Sequence, residues 1–200
     1  MEYLFLFDNL LTQLTLPDSS YVSGWWCQNY GECGLYLYLY DNQLSTINFP
    51  SSLEVYYLRA DNNPFDSIDL SLLTNLQRLW LSHTNLVSLD LSSNNNLQHI
   101  YVDQNDSLLS LDVKNKIDLK SIYSDDNDEL TNLDLRNINL VNIGYHDFTG
   151  NPQLNCISVD NLTIANTLLN NIDPNCVYSL NCTGLGCTDP AALNYDPLAS

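Results

Sequence analysis

Positive charge is scarce in this sequence. Its 6 Lys and Arg face 24 Asp and Glu, a formal net charge of −18 at pH 7. A nucleic-acid groove needs clustered cations to displace counterions, and so few scattered ones cannot form it. Attraction to an anionic membrane is excluded on the same ground. Long apolar runs are missing too. The longest, Leu35 to Tyr40, falls far short of the roughly 20 residues a membrane helix needs. Gly and Pro number only 7 each. Hydrophobic residues at 44% argue against disorder. What fills the chain instead is about 38 Leu and about 27 Asn, a bias that suggests periodicity.

The six cysteines contain no Cys-x-x-Cys pair, so a zinc site or thioredoxin-like motif is not indicated. Cys27 and Cys33 lie close together, and Cys156, Cys176, Cys182 and Cys187 form a second group. An even number with close spacings reads as disulfides, hence an oxidising compartment. The start, from Met1 to Asp8, has no basic segment and carries Glu2, so it is not a signal peptide. We therefore expect a fragment of a longer secreted or cell-surface protein, monomeric within that chain.

Self-similarity is plain when the chain is written as L-x-x-L-x-L-x-x-N-x-L-x-x-L-x-L. Met1/Leu4/Leu6/Asn9 opens the first copy and Gly34/Leu37/Leu39/Asn42 the second. Val55/Leu58/Ala60/Asn63 and Leu76/Leu79/Leu81/Thr84 follow. Leu97/Ile100/Val102/Asn105 and Leu119/Ile122/Ser124/Asn127 carry one extra residue after the Asn column. An irregular seventh copy is expected from Leu140/Ile143/Tyr145 to about Val159. The spacing of 21 or 22 residues and the consensus both match leucine-rich repeats.

Each L-x-L then forms a short parallel strand with alternate side chains inward. The Asn column sits where the chain leaves the sheet, and its amides can bond backbone groups of the adjacent coil. No segment holds a long 3.6-residue period, so the convex side should be turns, short strands or 3₁₀ pieces. The expected fold is a leucine-rich repeat solenoid of about seven coils, with a short parallel β-sheet on its concave face. It covers 1–159 and is followed by a cap over 160–182 and a truncated Cys-bounded motif over 183–200. An insertion at about 17–33 interrupts it, and a Cys27–Cys33 bridge would staple that loop. Trp25 and Trp26 within it are either a binding finger or, as we prefer, a cover over an exposed core edge.

Thr74-Asn75-Leu76-Gln77-Arg78-Leu79 and Leu86-Val87-Ser88-Leu89-Asp90-Leu91-Ser92 resemble repeats of leucine-rich repeat proteins secreted by marine and gliding bacteria, a Bacteroidetes-like group. Asn151 to Asp160 followed by Asn171-Ile172-Asp173-Pro174 is similar to their terminal cap. That resemblance implies a bond from Cys156 to Cys182 and leaves Cys176 and Cys187 unassigned. Gly186-Cys187-Thr188-Asp189-Pro190 is similar to the opening of a Cys-bounded motif of the same proteins, here cut short. The resemblance implies an extracellular or surface location, a binding role and no catalytic residue.

In a solenoid the outward strand positions of the concave sheet form the usual binding surface. The central column should be Phe5, Tyr38, Arg59, Trp80, Tyr101, Tyr123 and Gly144. The column before it should be Tyr3, Tyr36, Tyr57, Arg78, His99, Ser121 and Asn142, and the one after it Phe7, Tyr40, Asp61, Ser82, Asp103, Asp125 and His146. So many outward aromatics make an apolar patch of the kind that marks contact sites. The alternative is that they only stack down the ladder and stabilise the sheet. We favour a binding surface, with protein ahead of polysaccharide as ligand and a neutral glycan or basic protein ahead of an anion.

Asp69, Asp90, Asp112 and Asp134 form another column on the return path, where each is expected to bond the turn that follows. Asp125, Asp126 and Asp128 offer oxygens to Ca²⁺ but lack EF-hand spacing, so a solvated turn is preferred. No nucleophile, phosphate-loop or metalloprotease motif is present, and the histidines have no placed partner. No cofactor, metal or catalytic activity is expected. A structural spacer, stiffened by Ca²⁺, is the alternative function.

Overall fold

The computed structural model describes residues 2–17 and 34–182. Each repeat contributes one strand to a seven-stranded sheet, and all neighbours in it run parallel. Its strands are β1 (Glu2–Phe5), β3 (Leu35–Tyr38), β5 (Val55–Arg59), β6 (Arg78–Trp80), β7 (His99–Tyr101), β9 (Ser121–Tyr123) and β11 (Tyr145–Asp147). The return paths form shorter ladders. There β2 (Gln13–Thr15) pairs with β4 (Thr46–Asn48), and β8 (Ser110–Asp112), β10 (Asn132–Asp134), β12 (Cys156–Ser158) and β13 (Val177–Ser179) stack in order. Parallel pairing of coil to coil repeats the path of strand, turn and return about seven times.

The core follows from the pattern. Leu37, Leu58, Leu79, Ile100 and Ile122 are fully buried, as are Leu39, Leu81 and Val102 one position pair further on. Each such side chain contributes roughly 1.5–3 kcal/mol on leaving water. Leu4, Leu6, Leu11 and Leu14 are only partly buried, because β1 is the terminal strand of the described sheet.

A second stack runs where the chain leaves the strands. Residues before the Asn column adopt left-handed φ, at 54° for Asp8, Asp41, Asn62 and His83 and 71° for Gly150. Asn and Asp tolerate that region, and Gly enters it freely. The following Asn turns its amide inward. Asn63 donates from Nδ2 to the Leu39 carbonyl at 2.9 Å and to the Ala60 carbonyl at 3.1 Å, while its Oδ1 accepts from the Leu44 amide at 2.9 Å. Asn105, Asn127 and Asn151 repeat the arrangement, with the Asn105 amide donating to Asn127 Oδ1 at 2.8 Å and the Asn127 amide to Asn151 Oδ1 at 3.0 Å. Asp173 ends the column by accepting from the Asn151 amide at 2.7 Å.

The seventh coil departs from its expected register. Leu140–Asn142 winds into a 3₁₀ turn and advances the chain by three residues. Tyr145, His146 and Asp147 therefore pair with Ser121, Ile122 and Tyr123. Tyr145 and Asp147 take the outward places expected of Asn142 and Gly144, and His146 takes an inward one. The repeat so defined, Ile143/His146/Phe148/Asn151/Leu154/Ile157/Val159, is regular. An inward histidine hid it.

Helix α1 (Leu162–Leu168) follows β12, its N-terminus capped by Asn161 Oδ1, which accepts from the Ile164 amide at 3.0 Å. Ala165 of the helix and Leu169 immediately after it are buried in the core. The polypeptide then runs through β13, where Tyr178 donates its hydroxyl to the Leu169 carbonyl at 2.9 Å. Cys156 and Cys182 are disulfide-bonded, with Cα atoms 5.8 Å apart, the pairing the resemblance implied. Cys176 is free and buried.

Candidate functional site

Successive side chains of a strand point to opposite faces, and parallel strands lie about 4.8 Å apart, so in-register repeats stack like residues in columns. Tyr3, Tyr36, Tyr57, Arg78, His99, Ser121 and Tyr145 stand in one column of the sheet. Phe5, Tyr38, Arg59, Trp80, Tyr101, Tyr123 and Asp147 stand in the next. All lie on the face opposite the buried leucines.

The rings pack into a single ladder. Centroid distances run 4.9 Å for Phe5–Tyr38, 4.8 Å for Tyr38–Tyr57 and 4.8 Å for Tyr57–Trp80. Trp80–Tyr101 and Tyr101–Tyr123 follow at 4.5 and 4.9 Å, both with planes 8° apart. The ladder sidesteps Arg59 by crossing to Tyr57 in the neighbouring column. Arg59 lies instead over the Tyr40 ring, its guanidinium carbon 4.1 Å from the centroid. From there it donates from Nε to Asp61 Oδ1 at 2.8 Å and from Nη2 to Oδ2 at 3.3 Å. Asp61 is thus buried and neutralised within the chain.

Because the ring faces meet one another, the ladder offers mainly ring edges and hydroxyls to solvent. Burial holds the Tyr57 hydroxyl well above the usual tyrosine range, with Tyr38 adding to the effect. Ser121 donates from Oγ to the Tyr101 hydroxyl at 3.3 Å and lies 2.8 Å from His99 Nδ1.

Charge is divided between the two sides of the ladder. On the side where the strands end stand Asp103 and Asp125, with Asp147 beside them. Asp103 accepts from Ser82 Oγ at 2.5 Å. Asp125 keeps Oδ1 out of water with no hydrogen-bond partner. Burial, with Asp103, Asp147 and Asp126 nearby, pushes its carboxyl up to about 6. On the side where the strands begin stand Arg78 and His99, with Lys120 donating to Gln98 Oε1 at 2.8 Å. Burial, Arg78 and Lys120 together lower the His99 imidazole below its ordinary value.

The remaining sequence candidates fall elsewhere. Asp69, Asp90, Asp112 and Asp134 each accept the backbone amide two residues on, at 2.9, 2.8, 2.9 and 3.1 Å. Asp134 is also ion-paired to Arg136 and Lys114. A cleft of about 290 Å³ lies between two of these turns, lined by Asp90, Asp112, Lys114 and Lys116 among others. Asp125, Asp126 and Asp128 do not gather: among the described residues no group of three or more His, Cys, Asp or Glu is placed to hold a metal ion. Trp25, Trp26, Cys27, Cys33 and Cys187 lie outside the described residues. Sequence reasoning missed Tyr145 and Asp147, which the pair Gly150-Asn151, a turn-forming residue before an Asn as in Asp41-Asn42 and Asn62-Asn63, could have located.

Over 86% of its length the chain matches the functional domain of InlJ from Listeria monocytogenes, with a TM-score of 0.56 and 20% identity. The fold is a leucine-rich repeat solenoid. The chain spans 43% of the InlJ chain it matches. No protein-family model matches the sequence, and no curated protein does. The InlJ domain includes a cysteine ladder, whereas this leucine-rich repeat solenoid stacks asparagines and aromatic rings. Stacked repeats of this kind build an extended surface from like positions of successive coils. No helix among the described residues is long and apolar enough to cross a membrane.

Proposed function

We propose that this leucine-rich repeat module is a non-catalytic extracellular or cell-surface binder that takes a protein ligand on its aromatic face. The continuous ring ladder from Phe5 to Tyr123 carries the reading. Tyr, Trp and Arg dominate binding hot spots, and here they line one face of one sheet. A polysaccharide stacks its sugars on ring faces, and these faces are already engaged with one another. Edges and hydroxyls suit the mixed apolar and polar surface of a protein better. The Cys156–Cys182 disulfide supports an oxidising location.

Paired protein and glycan arrays, probed with the chain and with a Tyr38→Ser/Trp80→Ser/Tyr101→Ser variant, test it. The expected result is a protein hit that the variant loses while its far-ultraviolet circular dichroism stays that of the parent. A protein hit unchanged in the variant, or hits confined to glycans, overturns the reading. Empty arrays on both sides favour the spacer, for which mutual ring stacking supplies stiffness.

A further inference from the structure

Resting on the reading above, we propose that the aromatic face selects a basic protein segment by seating an arginine of the ligand against Asp103 and Asp125. The protein itself supplies the precedent. Two coils before Asp103, the same column holds Asp61, and there Arg59 fills the slot between carboxylate and Tyr40 ring. Arg59 reaches Asp61 because it stands at the outward position of the same strand end. At the corresponding positions before Asp103 and Asp125 stand Tyr101 and Tyr123. Their strands provide the aromatic wall and the acid, and leave out the guanidinium.

Further observations agree. Asp125 holds a carboxylate oxygen away from water without a donor, an arrangement that a charged donor on the other oxygen would offset. The two carboxylates belong to adjacent coils about 4.8 Å apart, a separation one planar guanidinium can bridge with its forked donors. Arg59 is the cation already on that side, and it is consumed by Asp61. Lys114 and Arg136 are paired on the return side. Across the ladder, Arg78 and Lys120 repel a second cation, so the segment is oriented with its basic side chains toward the strand ends. The net charge of −18 steers such a ligand inward from a distance.

Fluorescein-labelled octa-arginine, followed by anisotropy in about 0.15 M salt where only close charges act strongly, is the probe. Three proteins are compared: the parent, Asp103→Asn/Asp125→Asn, and Asp69→Asn/Asp90→Asn, which removes the same charge from the return side. The inference expects the first variant to weaken octa-arginine binding about tenfold and the second by less than about twofold. Equal weakening by the two variants, or no binding to the parent, overturns it. Asn keeps the size of Asp, and an unchanged or raised melting temperature shows that the fold is retained. The same two variants are then applied to the protein hit from the arrays. If that hit survives Asp103→Asn/Asp125→Asn but is lost in the ring variant, the arginine seat fails and the binding reading stands. If the hit survives the ring variant, the binding reading itself has failed.

Discussion

Trp80 and Tyr101 lie face to face, with ring centroids 4.5 Å apart and planes 8° from parallel. Stacking at the spacing of the sheet turns an exposed apolar patch into a mutually supporting ridge. A pair of this kind is worth about 0.5–1.5 kcal/mol beyond its buried area. Trp80 has two such partners, Tyr57 and Tyr101. Trp80→Ala should therefore cost about 1–3 kcal/mol in urea unfolding, and a loss well under that range would mean the rings stand independently.

The asparagine column should be equally unforgiving. Asn127→Ala removes the acceptor for the buried Asn105 amide and the donor to the Ser124 carbonyl. We expect a loss of about 2–3 kcal/mol, the cost of buried groups left unpaired. Thr84 interrupts the same column, bonding Asn105 through its hydroxyl and amide. Thr84→Asn should gain about 1 kcal/mol by restoring the amide donors its neighbours use. Destabilisation by that substitution would contradict the ladder as the source of stability.

Asp125 predicts one pH dependence. Its carboxyl titrates near 6 in the fold, against 3.8 ordinarily, so the folded chain binds the proton more tightly than the unfolded one. Stability from this group is present at low pH and lost as pH rises through 6. Asp125→Asn should raise the melting temperature at pH 7.5 by about 2–4 °C, the shift of roughly 1 kcal/mol in a domain this size. The gain should vanish near pH 4. An equal gain at both values would place the cause elsewhere than the carboxylate's charge.

His146 predicts the opposite sign. Burial lowers its imidazole below the ordinary 6.5, and Nε2 accepts from the Asn170 amide at 3.1 Å. The folded state thus resists protonation, and its stability falls as pH drops below about 6.5. Hydrogen exchange at Asn170, corrected for intrinsic pH effects, should lose protection between pH 7.5 and 5. Constant protection would show that the ring does not hold this segment.

The disulfide closes 26 residues. Chain-entropy reasoning gives it about 3.5 kcal/mol, so Cys156→Ser/Cys182→Ser should lower stability by that order. Burial pushes the Cys176 thiol up to about 11. The peptide containing it should escape iodoacetamide at pH 8 in the native protein and react in urea; prompt native labelling would contradict its burial.

The periodic part of the molecule was legible because inward positions repeat one chemistry. Leu58, Leu79 and Ile100 face the same environment, so the same residue type recurs. The seventh coil was misplaced by three residues where His146 took an inward position and broke that rule. Helix α1 escaped because its seven residues hold too little of a helical period, although Asn161 before Leu162 was a readable cap. Lys116 shows the same limit. Nothing in sequence marks it as buried, yet its stem fills a place in the column that Leu73 and Asn94 occupy in earlier coils.

The sequence by itself determined the solenoid, its period, the asparagine column and the side chains displayed on the first six strands of the sheet. Those follow from repetition, since every coil must bury the same face against the next. Only the tertiary structure decided how the displayed residues divide the surface. Tyr57 bridging past Arg59, Arg59 neutralising Asp61, and Asp125 left with an unpaired oxygen all depend on which side chain leans toward which neighbour. Arg59 and Asp61 are near neighbours in one coil, but Tyr57 meets Tyr38 and Trp80 across coils, 19 and 23 residues away in sequence, where contact distance and competition for donors, rather than local pattern, set the outcome.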